Sequence, residues 1–424
     1  MSTPISSITR KTVWREGISM PKYRKLFHYV TTDVCIIGGG LTGVTAAYLL
    51  AKAGKSVVLI EKKRLGGGAT HDTTAFITEI IDTDLADLTR MLGKKKAAEV
   101  IRSHHDAIDR TQRIVRAEKI DCEFIRVPNI IYANPNTKEA EHIEDEHRAG
   151  TALGIDMEVG TERFPFNHGK FLRVANQAKF HPLRYLYALA DAAEKNGAEL
   201  HEESEATGYS VEDDTIRIEA SGGSIEAKQL IIATYEPFNK PLSLYFKKAF
   251  YDSYVLEWKA PQGALPEGIF EDMHNPYRYF RVDKMNGYDR LIIGGEDHRS
   301  DMKVSNNECW TRLRDYTEEA FYGIPLEAVR RWKGPILEPV DGLAFIGTWS
   351  DERIYVAMGF SGNGMTYANI AAHMFTEDIL GRSMPHKTLY DPRHIPSFKS
   401  LLIKGRDYSE EFYFGTIQQA LRRK

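Results

Sequence analysis

The residues with the clearest chemical capacity are three glycines and one glutamate near the N-terminus. Gly38, Gly40 and Gly43 follow the apolar run 34–37, and Glu61 ends a second apolar run eighteen residues after Gly43. Gly38 permits a tight turn, Gly40 lets the backbone approach a pyrophosphate, and Gly43 lets the following helix press onto a sheet. The free N–H groups at the helix start favour phosphates, and an acid such as Glu61 binds ribose hydroxyls. The spacing therefore predicts a strand, glycine turn, helix and strand unit that binds a dinucleotide.

A second glycine turn lies near the other end of the chain. The apolar run 354–358 is followed by glycines at 359, 362 and 364, and a helical pattern begins at Met365. The N–H groups of such a helix start can stabilise negative charge on a reduced flavin. The alternative is a plain structural turn. A nucleophile elbow is excluded because Asn363 stands where that motif needs glycine.

The composition is that of an ordinary globular protein, and it argues against binding to nucleic acid and against a membrane span. The 424 residues carry a net charge of −3, which offers no basic field for nucleic acid. No apolar run approaches the roughly 20 residues that a membrane span needs. The three cysteines, Cys35, Cys122 and Cys309, form no C-x-x-C pair. We therefore expect no metal site and a reducing, cytoplasmic location. The oligomeric state stays open.

Taken together, these motifs resemble the D-amino acid oxidase superfamily of FAD-dependent oxidoreductases over residues 31–385. Besides the two glycine turns, the resemblance rests on the loop 66–70, residues 180–182, the strand end at Ala233 and Thr234, and the block 332–347. Residues 68–78 and 291–298 look most like a bacterial subgroup that often carries a C-terminal Rieske domain. About forty residues follow residue 385 and contain no cysteine. We expect any iron–sulfur electron route to lie on another protein.

The resemblance implies an α/β fold in two interleaved parts. One is a Rossmann-like, doubly wound FAD-binding domain, and the other is a β-rich (α+β) substrate domain. The expected boundaries are a lead-in at 1–30, the FAD domain at 31–90, 170–240 and 335–385, the substrate domain at 91–169 and 241–334, and a tail at 386–424.

The implied chemistry is oxidation of a carbon–nitrogen bond of an amine or amino acid, with hydride transfer to non-covalent FAD and an imine as product. Electrons would then pass to oxygen or to an acceptor protein. The resemblance implies this set of cofactor-binding residues: Gly38, Gly40, Leu41, Thr42, Gly43, Glu61, Lys62, Gly68, Ala69, Thr70, Thr73, Thr74, Ala75, Ala233, Thr234, Asp341, Gly362, Asn363, Gly364 and Met365.

Catalytic residues are harder to name. In amino acid oxidising relatives an arginine that clamps the substrate carboxylate stands two positions after a W-x-G motif, and here Ile336 takes that place. Arg281 is a candidate replacement, and a surface strand arginine is the alternative. Tyr279 and His298 are candidates by resemblance only, and a single histidine is commonly a structural hydrogen bonder.

The sequence does not favour covalent flavin attachment, and it leaves several other functions open. The attachment cysteine of sarcosine oxidase would fall near Lys333 or Gly334, where there is none, and His71 lies one residue from an attachment histidine of dimethylglycine-type dehydrogenases. The functional alternatives are an NAD-dependent dehydrogenase, a flavin dehydrogenase on another donor that serves a partner protein, a flavoprotein acting on RNA, and a non-enzymatic binding role.

Overall fold

The computed structural model describes residues 4–133, 137–166, 169–236, 248–273, 276–339 and 341–394. Its helices are α1 (Leu41–Lys52), α2 (Leu85–Leu92), α3 (Lys94–Ala117), α4 (Lys138–Leu153), α5 (Pro182–Lys195), α6 (Asn306–Ala320), α7 (Gly364–Ile379) and α8 (Lys387–Tyr390). Short 3-10 turns occupy Ile5–Ser7, Val13–Arg15 and Ala69–His71.

The strands are β1 (Thr9–Arg10), β2 (Tyr29–Ile37), β3 (Val57–Ile60), β4 (Phe76–Ile77), β5 (Ile125–Tyr132), β6 (Met157–Gly160), β7 (Phe171–Lys179), β8 (Glu199–His201), β9 (Ala206–Val211), β10 (Ile216–Ala220), β11 (Gly223–Ile232), β12 (Lys248–Pro261), β13 (Gly268–Asp272), β14 (Arg278–Lys284), β15 (Tyr288–Arg299), β16 (Glu327–Pro339), β17 (Phe345–Thr348) and β18 (Ile354–Met358).

One sheet, called here the nucleotide sheet, has the order β17-β18-β11-β2-β3-β8, with β9 and β10 extending from β11. The five strands from β18 to β8 are parallel. Their side chains are buried on both faces, which is why β3 reads as a continuous apolar run. Helices such as α1 and α7 cover one face, and β10 packs on the other through Ile216 and Ile218. The predicted Rossmann-like fold is confirmed.

The second sheet, called here the covering sheet, has the order β1-β16-β12-β15-β14-β13-β5-β7-β4, with β6 paired to β7. Most of its neighbours are antiparallel, and its side chains alternate between two faces. The outer face packs against α6 through residues such as Tyr254, Trp258 and Phe280. The inner face turns Trp332, Val255 and Ile292 toward the core of the nucleotide domain.

Sheet membership departs from the expected domain boundaries in four places, one of which is β4, from the segment 31–90, which pairs with β7 in the covering sheet. β7 lies in the covering sheet because it pairs with β5, although residues 170–240 were assigned to the FAD domain. Residues 335–339 continue β16, and the lead-in supplies β1 at the edge of the same sheet. α5 follows β7 within the segment 170–240, whereas α6 interrupts the region expected to be β-rich. Residues 395–424 of the tail lie outside the described part of the chain.

No helix in the described ranges is long and apolar enough to cross a membrane.

Candidate functional site

The first glycine turn is closed by contacts that only glycine allows. Gly38 has φ +114°, and a Cβ there would lie 2.4 Å from the carbonyl oxygen of Ala233. A Cβ on Gly43 would lie 2.0 Å from the carbonyl oxygen of Gly38. The turn therefore presses against β11 and brings the start of α1 to the carboxyl edge of the parallel strands, where dinucleotides bind.

The surroundings of this helix start fit a bound dinucleotide phosphate. A Cβ on Gly40 would approach no atom closer than 3.4 Å, where it meets Thr70 Oγ1, and one on Gly68 would have no atom within 4 Å. Bare backbone of this kind lets a pyrophosphate approach closely. Thr70 Oγ1 also accepts a hydrogen bond from the Leu41 amide at 3.2 Å, so the loop 66–70 lies directly against the helix start.

Glu61 directly follows β3 beside the same turn. Its two carboxylate oxygens accept hydrogen bonds from the amides of Gly39 at 2.8 Å and Lys63 at 2.9 Å. These bonds aim the carboxylate across the end of the strand, where a ribose would lie in this kind of fold. Lys62 is exposed next to it, and Thr42 is buried in the first turn of α1. Ala233 joins the turn through its amide, which donates to Ile37 at 2.8 Å, while the Thr234 hydroxyl donates to the carbonyl of Glu236.

The second glycine turn is tied to the segment 78–82. The Gly362 amide donates to Asp82 Oδ2 at 2.6 Å, and the Asp82 amide donates to Asn363 Oδ1 at 3.2 Å. Asn363 Nδ2 donates in turn to Thr78 Oγ1 at 3.3 Å. Met365 is buried behind the turn, and a Cβ on Gly364 would have open space around it. The start of α7 therefore has open space at Gly364, while Gly362 and Asn363 are hydrogen-bonded to Asp82.

Asp341 lies apart from these contacts. Its carboxylate accepts from the amide of Leu343 at 3.3 Å and pairs with His394 Nε2 at 2.6 Å. The structure therefore places this predicted cofactor-binding residue in a contact with the C-terminal segment.

The loop that links the two sheets is fixed from both sides. Trp14 Nε1 donates to the Thr73 carbonyl at 2.6 Å, and Trp332 Nε1 donates to the Asp72 carbonyl at 3.0 Å. The Thr73 hydroxyl accepts from the Ala75 amide at 2.9 Å, and Ala75 adopts φ +61°. Ala69 lies in the 3-10 turn at the start of the loop. The loop 66–77 is consequently shared between the nucleotide domain and the covering sheet.

Arg281 holds this loop in place. Its Nη1 donates to the carbonyls of Thr74 at 3.0 Å, Ala75 at 3.1 Å and Phe180 at 3.1 Å, and its Nε and Nη2 donate to Asp283 Oδ1 at 3.0 and 2.7 Å. The side chain is 1% exposed. All three guanidinium nitrogens are thus engaged inside the fold, and this geometry gives Arg281 a structural task.

The other two catalytic candidates lie on opposite faces of the covering sheet. Tyr279 is on the inner face, where its hydroxyl bonds Ser253 Oγ at 2.8 Å and its ring meets Phe76 edge to face at 5.9 Å. His298 is on the outer face, with its ring 5.6 Å from that of Tyr254. The structure brings Tyr279 to the loop 66–77 and takes His298 away from it.

The register of the covering sheet places Ile336 on the inner face as well. Ile336 pairs with Tyr251 and Gly334 pairs with Ser253, two residues along the same face. A Cβ on Gly334 would meet Asp72 at 3.1 Å. The position expected to carry a carboxylate clamp therefore lies on the inner face with an apolar, half-buried side chain.

Four inner-face and neighbouring residues were missed from the sequence: Tyr277, Glu271, Asp297 and Asp82. Tyr277 stacks on Tyr279 with ring centroids 5.6 Å apart, and its hydroxyl donates to Glu271 Oε2 at 3.0 Å. Burial raises the pKa of Glu271 to about 7, and burial likewise raises that of Asp297 to about 7. The period-two spacing of Tyr277 and Tyr279 was the available signal, because it puts both rings on one face.

One group of possible metal ligands occurs among the described residues, formed by Asp84, His142 and Glu146. Glu146 accepts from the amides of Leu85 at 2.8 Å and Ala86 at 3.2 Å, and His142 Nε2 pairs with Asp84 Oδ2 at 3.0 Å. Glu146 thereby caps the start of α2, which is a structural role.

The chain matches known proteins along most of its length. The family model described as FAD dependent oxidoreductase, DAO, matches residues 33–378. The protein YhfW of Bacillus subtilis (strain 168), whose name describes a Rieske 2Fe-2S iron-sulfur protein, is 29% identical over 96% of this chain and 81% of its own length. Gamma-glutamylputrescine oxidoreductase of Escherichia coli (strain K12) is 25% identical over 87% of this chain and 88% of its own length.

The fold matches solved structures as well. Glycine oxidase from Geobacillus kaustophilus superposes with a TM-score of 0.72 at 19% identity, covering 86% of this chain and 100% of that one. L-proline dehydrogenase from P. horikoshii gives a TM-score of 0.71 at 20% identity, covering 86% and 97%. The family match decides between the dinucleotide alternatives in favour of FAD.

Proposed function

The chain belongs to the DAO family of FAD dependent oxidoreductases, and on that premise we propose that it oxidises the carbon–nitrogen bond of an amine or amino acid with non-covalently bound FAD. The observation that supports this is the closure of the covering sheet on the loop 66–77. Arg281, Trp14 and Trp332 all bind backbone carbonyls of that loop. A substrate held between the sheet and the loop would be oriented and shielded from water.

The cofactor, when bound, supplies the acceptor for a hydride from the carbon next to the substrate nitrogen. This chain's residues provide the binding site for it: the start of α1 and Thr70 for the phosphates, Glu61 for a ribose, and the start of α7 for negative charge on the ring. Tyr279 and Ser253 present hydroxyl groups on the inner face, where they can orient a substrate nitrogen. Electrons would leave to oxygen or to an acceptor protein.

The proposal is tested by the visible spectrum of the purified protein under anaerobic conditions. We expect a flavin band that amines or amino acids bleach, and acid precipitation that releases the yellow colour into the supernatant. Colour retained in the pellet would contradict non-covalent binding and would make His71 the candidate for covalent attachment. A flavin that no amine or amino acid reduces would refute carbon–nitrogen oxidation. The rate of reoxidation by air then separates an oxidase from a dehydrogenase.

A further inference from the structure

The inner face next to the loop is acidic. Glu271 accepts hydrogen bonds from Tyr277 Oη at 3.0 Å and Asn129 Nδ2 at 2.7 Å. Asp297 is hydrogen-bonded to Ser253, which also holds Tyr279. We call Glu271, Asp297 and Asp82 the acidic group. Asp82 belongs to it because its charge raises the pKa of both other carboxyls, and because it binds the second glycine turn at Gly362.

Two side chains of this region reach solvent although the protein surrounds them closely. Asp297 is exposed and Tyr277 is 41% exposed, yet burial is the main cause of the raised pKa values of both side chains. Accessible surface combined with a dense protein environment is typical of a concave wall. A charged group in such a recess is poorly hydrated, so an oppositely charged ligand gains more there than on an open surface.

The nearby cations are committed elsewhere. Arg278 points to the outer face, where it is hydrogen-bonded to Glu296, and it lowers the pKa of Asp297 less than neighbouring carboxylates raise it. Arg281 is bound to Asp283. Lys333 pairs with Asp252 at 2.7 Å. These three described cations are therefore paired with Glu296, Asp283 and Asp252, and none of them forms an ion pair with Glu271 or Asp297.

Two further observations indicate a ligand at this place. Asn129 is 1% exposed, its amide contacts Glu271, and its Oδ1 has no hydrogen-bond partner. A buried acceptor of this kind is costly unless a donor completes it. The stacked rings of Tyr277 and Tyr279 form an aromatic wall beside the carboxylates, and aromatic faces attract organic cations.

We propose that the substrate is a diamine or N-substituted diamine, whose second, non-reacting nitrogen is positively charged and is bound by Glu271 and Asp297 beside the tyrosine wall. This inference rests on the proposed function. Ile336 supports it, because an apolar residue on the same face offers nothing to a carboxylate next to the reacting nitrogen. The acidic group would repel such a carboxylate, so ordinary amino acids are poor substrates.

The test uses the FAD-loaded full-length protein and four probes that differ in the charge of the far end: 1,4-diaminobutane, 1-aminobutane, 4-aminobutanoate and glycine. Isothermal titration gives the affinity of each probe, and anaerobic bleaching of the flavin gives its reaction. We expect 1,4-diaminobutane to bind at least 10-fold more tightly than 1-aminobutane, and the two carboxylates to bind more weakly than either.

Two substitutions test whether Glu271 and Asp297 cause the preference for the diamine. Glu271→Gln and Asp297→Asn should each reduce the preference for 1,4-diaminobutane over 1-aminobutane by 5-fold or more, mainly through weaker binding of the diamine. Glu319→Gln, on the exposed side of α6, is the matched control and should leave the preference intact. Asp297→Asn alters an exposed side chain, so it keeps the test valid should Glu271→Gln fail to fold.

The pH profile adds an independent readout. Because the carboxyls of Glu271 and Asp297 have pKa values near 7, they accept protons as the pH falls from 8 to 6, whereas the diamine stays doubly charged. Binding of the diamine should therefore weaken over that interval, and binding of 1-aminobutane should not. The charged and titratable groups that face these carboxyls are Asp82, Asp272, Glu338, Arg278, Tyr277 and Tyr279.

The outcomes separate the two proposals. Equal affinities for 1,4-diaminobutane and 1-aminobutane, or a preference for glycine, would overturn the diamine inference even where an amine bleaches the flavin. Tight, Glu271-dependent binding of the diamine without bleaching by any probe would sustain the cation site and refute carbon–nitrogen oxidation.

Discussion

Asp283 is the residue whose removal should reveal how the covering sheet holds the loop. It accepts hydrogen bonds from Lys179 at 2.7 Å, from Arg281 at 3.0 and 2.7 Å, and from Arg290 at 3.0 and 2.8 Å. Burial alone would raise its pKa, but these three cations hold that pKa well below its usual range. Asp283→Asn keeps the size of the side chain and removes the charge that the cations share.

The expected loss of unfolding free energy depends on the partners that each cation retains in Asp283→Asn. Lys179 and Arg281 are each 1% exposed, so water cannot replace the lost carboxylate. Breaking a buried pair costs about 3–5 kcal/mol because an uncompensated charge remains. Lys179 retains Glu267 at 3.0 Å, and Arg290 retains Glu123 at 3.5 Å. We therefore expect a loss at the lower end, about 3 kcal/mol of unfolding free energy.

The assay is urea unfolding followed by tryptophan fluorescence at pH 7, together with titration of the apoprotein with FAD. Asp301→Asn is the control, because its pair with Arg299 is partly exposed and should be worth less than about 1 kcal/mol. Arg281 binds the carbonyls of the loop 66–77, so Asp283→Asn should also weaken FAD binding. A variant as stable as the control, with only the KM for substrate changed, would refute the structural role of this cluster and restore Arg281 as a substrate clamp.

Three further outcomes are expected. Gly38→Ala should lower the affinity for FAD at least 10-fold in the same titration, because its Cβ would meet the Ala233 carbonyl at 2.4 Å, whereas Gly208→Ala, with open space, should not. Glu146→Ala should cost about 1–2 kcal/mol in urea unfolding, since it leaves two amides at the start of α2 without an acceptor; an unchanged midpoint would contradict the cap. Burial holds the pKa of His181 at about 3, below its unfolded value near 6.5, so its contribution to stability is complete above pH 6.5 and falls on acidification. His181→Asn should accordingly lose less stability than the wild type between pH 6 and 4, by up to about 1.4 kcal/mol per pH unit, and parallel curves would refute this.

The parts of the site that could be predicted from sequence are those determined by short stretches of chain. Gly38, Gly43 and Glu61 belong to one strand, turn, helix and strand unit, and the need for glycine at the turn is visible in the spacing alone. The FAD prediction, made from the two glycine turns, is confirmed by the family match. Long-range pairing is different. The assignment of β7 to the covering sheet depends on its antiparallel partner β5, some forty residues earlier, which no local pattern specifies.

A single irregularity in β15 decides which side chains face the loop. Gly294 pairs with Tyr279 and Val255 on the inner face, so strict alternation would also turn residues 296 and 298 inward. Instead the register shifts between Asp252 and Tyr254 of the partner strand, and Glu296 adopts φ +59°. A bulge adds one residue to one strand and reverses the facing of everything beyond it. It sends His298 to the outer face and brings Asp297 inward. The same bulge that removes the predicted histidine from the site therefore supplies one of its carboxylates, and the preference for a positively charged substrate depends on it.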